Sequence, residues 1–76
     1  MLYKSTVNFT TLDKNNESIT LTTLFYVVKD TLELAQQYMD TFITNGEGMI
    51  EIYHNQDTYN VNKNSGTIIS IEEQTN

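Results

Sequence analysis

Two segments near the start of the chain alternate between apolar and polar residues. The alternation runs through residues 3–11 and again through residues 18–28. A period of two, carried by β-branched and aromatic side chains, is typical of strands with one buried face. The apolar positions of the two segments are Tyr3, Val7 and Phe9, then Ile19, Leu21, Phe25 and Val27.

The polar residues between these segments predict a hairpin and fix its register. Asp, Asn and Lys cluster around Asn15, which is the composition of a turn. Folding the chain back about Asn15 places Phe9 opposite Leu21. It also places Val7 opposite Thr23, so that the apolar positions of both strands share one face.

The next segment has the period of a helix. Asp30 is the predicted N-cap, and Glu33 three residues later completes an approximate capping box. Asn45-Gly46 predicts a left-handed stop. Apolar residues cover one half of the helical wheel, as expected for a helix that lies on a sheet; they are Leu32, Leu34, Ala35, Tyr38, Met39, Phe42 and Ile43.

Shorter alternating segments follow the helix. The predicted strands are Met49–His54, a short strand at 58–62 that could instead be irregular, and Thr67–Glu72, with turns at 55–57 and 63–66. The tail 73–76 is polar and is expected to fray. We therefore predict one α+β domain spanning residues 1–76. Its single antiparallel sheet has four or five strands with one amphipathic helix on one face, in the order β-β-α-β-β(-β).

Strand parity assigns side chains to the two faces of that sheet. Residues expected to face the helix are Ile19, Leu21, Phe25, Val27, Ile50, Ile52, Ile69 and Ile71. Residues expected on the outer face are Leu24, Tyr26, Val28, Met49, Tyr53 and Ile68. Scattered apolar residues on an open face are ordinary, whereas a contiguous patch marks a contact surface. An oligomer face built on Tyr26, Met49 and Tyr53 is the second interpretation.

Charge restricts the class of partner. The chain has ten acidic residues, four lysines and no arginine, giving a net charge of −6. Such a protein repels nucleic acid and anionic membranes and is attracted to basic surfaces. We therefore expect no direct nucleic-acid binding and no membrane partner. Leu24–Val28 is the longest apolar run, far short of a membrane span, and the start of the chain does not resemble a secretory signal, so we expect a cytoplasmic protein.

The sequence offers little catalytic chemistry. It has no cysteine and one histidine, His54, and no nucleophile-elbow glycines surround a serine. His54 with Asp57 supplies at most two metal ligands, fewer than a metal site needs. We predict no catalytic residues, no metal and no cofactor, and hence a protein that is not an enzyme.

The acidic side of the helix is the best candidate for binding a partner. Glu33 and Asp40 are seven residues apart, so they align along the axis with Gln37 between them, and Glu47 extends the negative charge. We predict these four residues as contacts, although an ordinary solvated helix face has the same pattern.

In length and acidity the chain resembles small phage-encoded inhibitors of bacterial defence, including anti-CRISPR and anti-restriction proteins. That resemblance implies a phage or mobile-element protein acting in the host cell, which inhibits a basic, nucleic-acid-handling protein. The alternative is a self-associating accessory domain, such as a homodimer.

Overall fold

The computed structural model describes residues 1–75. Its regular elements follow one another in the order strand, strand, helix, strand, strand, strand. They are β1 (Leu2–Leu12), β2 (Ser18–Val28), α1 (Leu32–Met39), β3 (Met49–His54), β4 (Asp57–Asn62) and β5 (Gly66–Gln74). A π-helical turn, Asp40–Thr44, extends α1, and a 3₁₀ turn, Lys63–Ser65, precedes β5.

The strands form two antiparallel sheets. Strands β2, β1 and β5 form one sheet in that order, and β3 and β4 form a separate two-stranded sheet. The predicted α+β class is confirmed, but the prediction of a single sheet of four or five strands is wrong. The 3₁₀ turn at Lys63–Ser65 separates β4 from β5, and β5 pairs with β1 instead of extending the β3–β4 hairpin.

The first hairpin has the predicted register. Phe9 lies opposite Leu21, and Val7 lies opposite Thr23. The turn is held by the Asp13 carboxylate, whose Oδ1 accepts hydrogen bonds from two backbone N–H groups, those of Asn15 at 2.8 Å and of Glu17 at 2.9 Å. A short polar side chain that bonds its own backbone favours a turn over a continued strand.

A two-residue turn connects β3 and β4. Asn55 and Gln56 both have positive φ, 49° and 69°. Two successive left-handed residues match the right-handed twist of a hairpin. The last residue of the predicted turn, Asp57, therefore belongs to β4 and lies opposite His54.

A β-bulge in β5 changes which isoleucines face the helix. Thr6 lies opposite Ser70 but Val7 lies opposite Ile68, so Ile69 is an extra residue in β5. Ile68 therefore packs against the core, and the side chain of Ile69 is 55% exposed. The predicted faces of Ile68 and Ile69 are both wrong. The extra residue in the bulge breaks the alternation, so residues of β5 before the bulge face the opposite side from the one that counting back from Ile71 predicts.

The last strand is longer than predicted. Glu73 and Gln74 lie opposite Tyr3 and Leu2, so part of the tail expected to fray is paired with β1. The final residue of the predicted tail, Asn76, lies outside the described residues.

The helix begins one residue later than predicted. Thr31 is the N-cap, and its hydroxyl accepts a hydrogen bond from the backbone N–H of Leu34 at 3.2 Å. The prediction that Asp30 is the N-cap is therefore wrong. At the other end, the stop is the π-helical turn, in which the Asn45 N–H donates to the Asp40 carbonyl at 3.0 Å. The left-handed glycine is Gly48, with φ of 94°, and not Gly46.

The core lies between the three-stranded sheet, the helix and the small hairpin. Its buried hydrophobic residues are Tyr3, Val7, Phe9, Leu21, Val27, Ala35, Met39, Ile43, Ile52 and Val61. The buried stripe of the helix is narrower than predicted, since Leu32, Leu34 and Tyr38 remain substantially exposed. Across residues 1–75, the helical segments are too short and too polar to cross a bilayer.

Candidate functional site

Almost every negative charge lies at the surface. Asp13, which caps the first hairpin turn, is half-buried, and the other nine of the ten acidic side chains are exposed. They are distributed over the helix, the loops and three strands, so the molecule carries a broad negative field instead of one concentrated acidic cluster.

The lysines do not neutralise this field by direct pairing. Among residues 1–75, no lysine nitrogen lies within 4.0 Å of a carboxylate oxygen. Two of the lysines instead lie over aromatic rings. The Nζ of Lys29 is 5.1 Å from the ring centroid of Tyr38, and that of Lys63 is 4.5 Å from the centroid of Phe42. Both contacts suit the negative face of a ring and leave the carboxylates without cationic partners.

Three of the four predicted contact residues form a row on the helix. Glu33, Gln37 and Asp40 follow one another at spacings of four and three residues, which places them on one side of the helix. All three side chains are exposed. Glu47 is also exposed, but it follows the π-helical turn and lies in the loop before β3, outside the helical row.

The row borders a groove between the helix and the edge strand β5. The groove has a volume of about 510 Å³. Gln36, Gln37 and Asp40 form its helix side, and the segment Ile68–Ile71 forms its strand side. A polar wall facing an apolar one suits a ligand with both kinds of surface. Sequence reasoning did not find the strand side, because the bulge that exposes Ile69 has no signal in the local pattern.

Asp40 has a structural role at this groove. Its Oδ1 accepts a hydrogen bond from the Thr44 hydroxyl at 2.6 Å, and its Oδ2 accepts one from the Asn45 amide at 3.1 Å. These bonds hold the π-helical turn closed. Part of the hydrogen-bonding capacity of this carboxylate is therefore used within the chain.

A smaller groove of about 340 Å³ lies on the other side of Gln37. Lys29, Leu34, Tyr38 and Thr41 complete its lining. It contains the aromatic contact of Lys29, so a positive charge already occupies this side of the helix. For a basic partner, the groove beside β5 is the more favourable of the two.

Two acidic residues also act on a buried phenol at one end of the sheet. Burial raises the pKa of Tyr3 above its ordinary value, and the negative charges of Glu73 and Asp30 raise it further. The Tyr3 hydroxyl donates to the Met1 sulfur at 3.7 Å, a long and weak contact. Tyr3 therefore stays neutral over the ordinary pH range and serves the core.

The structure does not assemble the predicted oligomer face. Tyr26 is on the three-stranded sheet, whereas Met49 and Tyr53 are on the separate β3–β4 hairpin. The three residues are exposed but do not share one sheet. At the end where β1 begins and β2 ends, the outer face of the three-stranded sheet carries the exposed apolar residues Leu2, Leu24, Tyr26 and Val28. Leu12 lies on the same face at the other end of β1.

The histidine lies at an exposed hairpin end. His54 is the last residue of β3, and its Nε2 is 3.2 Å from the Asn55 side-chain amide. Within the described part of the chain, residues 1–75, no group of three or more His, Cys, Asp or Glu side chains is placed to hold a metal ion.

Comparison with protein-family models, with curated proteins and with solved structures gives no match to this chain.

Proposed function

We propose that this chain is a non-enzymatic binding protein that docks through its acidic surface onto a basic surface of a larger, nucleic-acid-handling protein and so inhibits or regulates it. The acidic helix row, Glu33, Gln37 and Asp40, and the nearby loop residue Glu47 are the proposed contacts. In this proposal the chain occupies a surface that otherwise takes the phosphate backbone. The small acidic phage inhibitors that the sequence resembles in length and acidity would act in this way.

The observation that carries the proposal is the exposed charge that the lysines leave uncompensated. A surface carboxylate without a nearby cation retains its full attraction for an incoming positive charge, and complementary charge speeds association. The aromatic contacts of Lys29 and Lys63 account for half of the four lysines. The net charge is −6 wherever the lysines lie, and the positions of these two lysines leave the exposed carboxylates open to a partner's cations.

Affinity capture from a bacterial lysate tests the proposal. The full chain is immobilised, and capture is carried out at roughly 50 mM and at roughly 500 mM salt; the electrostatic screening length is about threefold shorter at the higher concentration. We expect a basic protein to be retained at low salt, released at high salt, and displaced by duplex DNA. The partner is then purified and its dissociation constant is measured for each variant.

Matched charge variants show whether the proposed contacts carry the binding. Glu33→Gln with Glu47→Gln removes two charges near the helix, and Glu17→Gln with Glu51→Gln removes two charges elsewhere. We expect the first pair to weaken binding about tenfold or more and the second by about threefold at most. Equal effects of the two pairs, or capture that is indifferent to salt and DNA, would contradict the proposal.

Self-association is a second candidate, favoured by the outer sheet face. Leu2 and Val28 lie opposite each other there, and Leu24 and Tyr26 continue the apolar surface along β2. Contiguous exposed apolar area of this kind usually marks a contact. Sedimentation of the full chain tests this candidate. A dimer that Tyr26→Lys disrupts and Tyr53→Lys preserves would support it, and a strict monomer at high concentration would exclude it.

A further inference from the structure

Strand β5 has one edge without a partner. Within the described residues 1–75, β5 pairs only with β1 and is the last strand of its sheet. No other backbone–backbone hydrogen bond of the described chain involves residues 67–75, and the Glu72 carbonyl accepts a long bond of 3.5 Å from the Gln74 side-chain amide. A row of N–H and C=O groups on such an edge is a template for another strand.

This edge is only partly protected against pairing. Exposed edges are commonly protected by lysine, by proline or by a covering element. The sequence of β5, GTIISIEEQ, contains neither lysine nor proline. Its protective features are the bulge at Ile69 and the charges of Glu72 and Glu73, which repel an acidic strand but not a basic one, and β5 continues with regular pairing from Ser70 to Gln74.

The groove supplies side-chain pockets beside that edge. Ile69 is 55% exposed and lines the groove together with Ile71. The facing amides of Gln36 and Gln37 provide polar contacts from the helix. In strand addition, main-chain hydrogen bonds give affinity and pockets for alternate side chains give specificity. An edge beside a mixed apolar and polar groove provides both.

The charges around the groove select the occupant. Asp40 lines it from the π-helical turn, and Glu72 and Glu73 follow Ile71 on β5. Lys4 lies opposite Glu72 on β1, and α1 and β5 themselves contain no lysine. A second copy of the chain pairing at this edge would bring its own Asp40, Glu72 and Glu73 against the same residues and be repelled here. The surroundings therefore favour a foreign segment that carries positive charge.

We propose that an extended segment of the partner protein, with apolar residues alternating with Lys or Arg, adds to the free edge of β5 and inserts its side chains into the groove beside the helix. This inference rests on the proposed function and specifies its binding mode. Apolar side chains of the segment pack on Ile69 and Ile71. Its basic side chains, on the opposite face of the added strand, lie near Glu72. Asp40 in the groove and Glu73 on the same face as Ile71 add to the negative field that attracts the segment.

Synthetic peptides of about nine residues provide a direct probe, since such a strand spans the length of β5. The test peptide alternates valine with lysine, and the control alternates valine with glutamate. Two further versions of the lysine peptide are N-methylated at every second residue, one at the odd-numbered and the other at the even-numbered positions. Successive N–H groups of a strand point to opposite edges. We therefore expect one of these two methylation patterns to abolish binding and the other to preserve it.

Two variants of the full chain locate the contact. Ile69→Lys adds a positive charge beside the groove at a side chain outside the core, and Tyr53→Lys adds the same charge on the other sheet, where Tyr53 is 73% exposed. We expect Ile69→Lys to weaken lysine-peptide binding about tenfold or more and Tyr53→Lys about twofold. Hydrogen exchange gives an independent measurement: the amides of residues 69–73 should become protected when the peptide binds.

Several outcomes would overturn the inference. They are equal binding of both methylated peptides, peptide binding without protection of β5, absence of peptide binding at about millimolar concentration, and a dimer that Ile69→Lys abolishes. The proposed function would survive the first three if a folded basic protein still bound in a manner sensitive to Glu33 and Glu47. The two sets of experiments therefore fail independently.

Discussion

The aromatic ring of Phe9 occupies the space that a side chain at Gly66 would need. The two residues are cross-strand partners at the start of β5. A Cβ atom built on Gly66 would lie 2.7 Å from Phe9 Cε1 and 2.8 Å from Ile43 Cγ2. Gly66 has φ of −77°, so its role is to leave room where the first strand, the π-helical turn and the last strand meet.

Gly66→Ala should therefore destabilise the fold by overpacking. We expect a loss of about 1–3 kcal/mol in the free energy of unfolding, the usual cost of adding a carbon to a filled core. Urea denaturation measures it, with Thr67→Ala at the exposed neighbouring position as the control. Phe9→Leu should recover part of the loss when combined with Gly66→Ala. If Gly66→Ala were as mild as Thr67→Ala, the contact would be looser than described.

The helix cap gives a second prediction, and it separates two adjacent residues. The Thr31 hydroxyl accepts the Leu34 N–H, so Thr31→Ala should cost about 1 kcal/mol of stability. Asp30→Asn removes only a charge near the N-terminus of the helix, which is worth about 0.3–1 kcal/mol at an exposed site. When denaturation is measured at high salt, the loss of stability caused by Asp30→Asn should become smaller, whereas the loss caused by Thr31→Ala should stay the same. A larger loss for Asp30→Asn at high salt would restore Asp30 as the cap.

These positions show what the sequence pattern can specify. The register of the first hairpin was predictable because alternation and a polar turn agree, and a one-residue slip would expose every apolar side chain. The cap was misplaced because Asp30 and Thr31 are both good N-caps and only backbone geometry separates them. The faces of Ile68 and Ile69 were wrong because a bulge changes parity without a residue type that marks it.

The candidate site was predictable to the same extent. The helical row of Glu33, Gln37 and Asp40 follows from periodicity alone. Its facing wall does not, since the pairing of β5 with β1 depends on contacts far apart in sequence. The separation of Tyr26 from Tyr53 into two sheets has the same cause: strand order is a property of long-range packing.

Ser5 gives a third prediction, from a buried hydroxyl. Its side chain is fully buried, and its Oγ has no hydrogen-bond partner among the described residues. An unsatisfied buried hydroxyl costs about 1–3 kcal/mol. Ser5→Ala should therefore leave stability unchanged or raise it by about 1 kcal/mol. The control is Thr22→Ala, which removes an exposed hydroxyl that donates to the Asn8 side chain at 2.9 Å. A clear loss for Ser5→Ala would indicate that its hydroxyl has a bound water as partner.

Tyr3 gives the last prediction, a dependence of stability on alkaline pH. Burial, with the charges of Glu73 and Asp30, raises the pKa of the phenol in the folded chain. The folded chain therefore keeps this proton at a pH where the unfolded chain has released it. The resulting stability is fully present below the unfolded pKa of about 10, and it is lost as the pH rises through the folded pKa.

Tyr3→Phe removes that titration. At about pH 7 it should have little effect on stability, because the hydroxyl makes only the long contact with the Met1 sulfur. At about pH 11, above the ordinary tyrosine pKa, the variant should be more stable than the parent chain. Urea denaturation at both pH values measures the difference, and Tyr53→Phe, at an exposed tyrosine, serves as the control. A stability difference between Tyr3→Phe and the parent that stays constant with pH would show that the phenol ionises as freely in the folded chain as in the unfolded one.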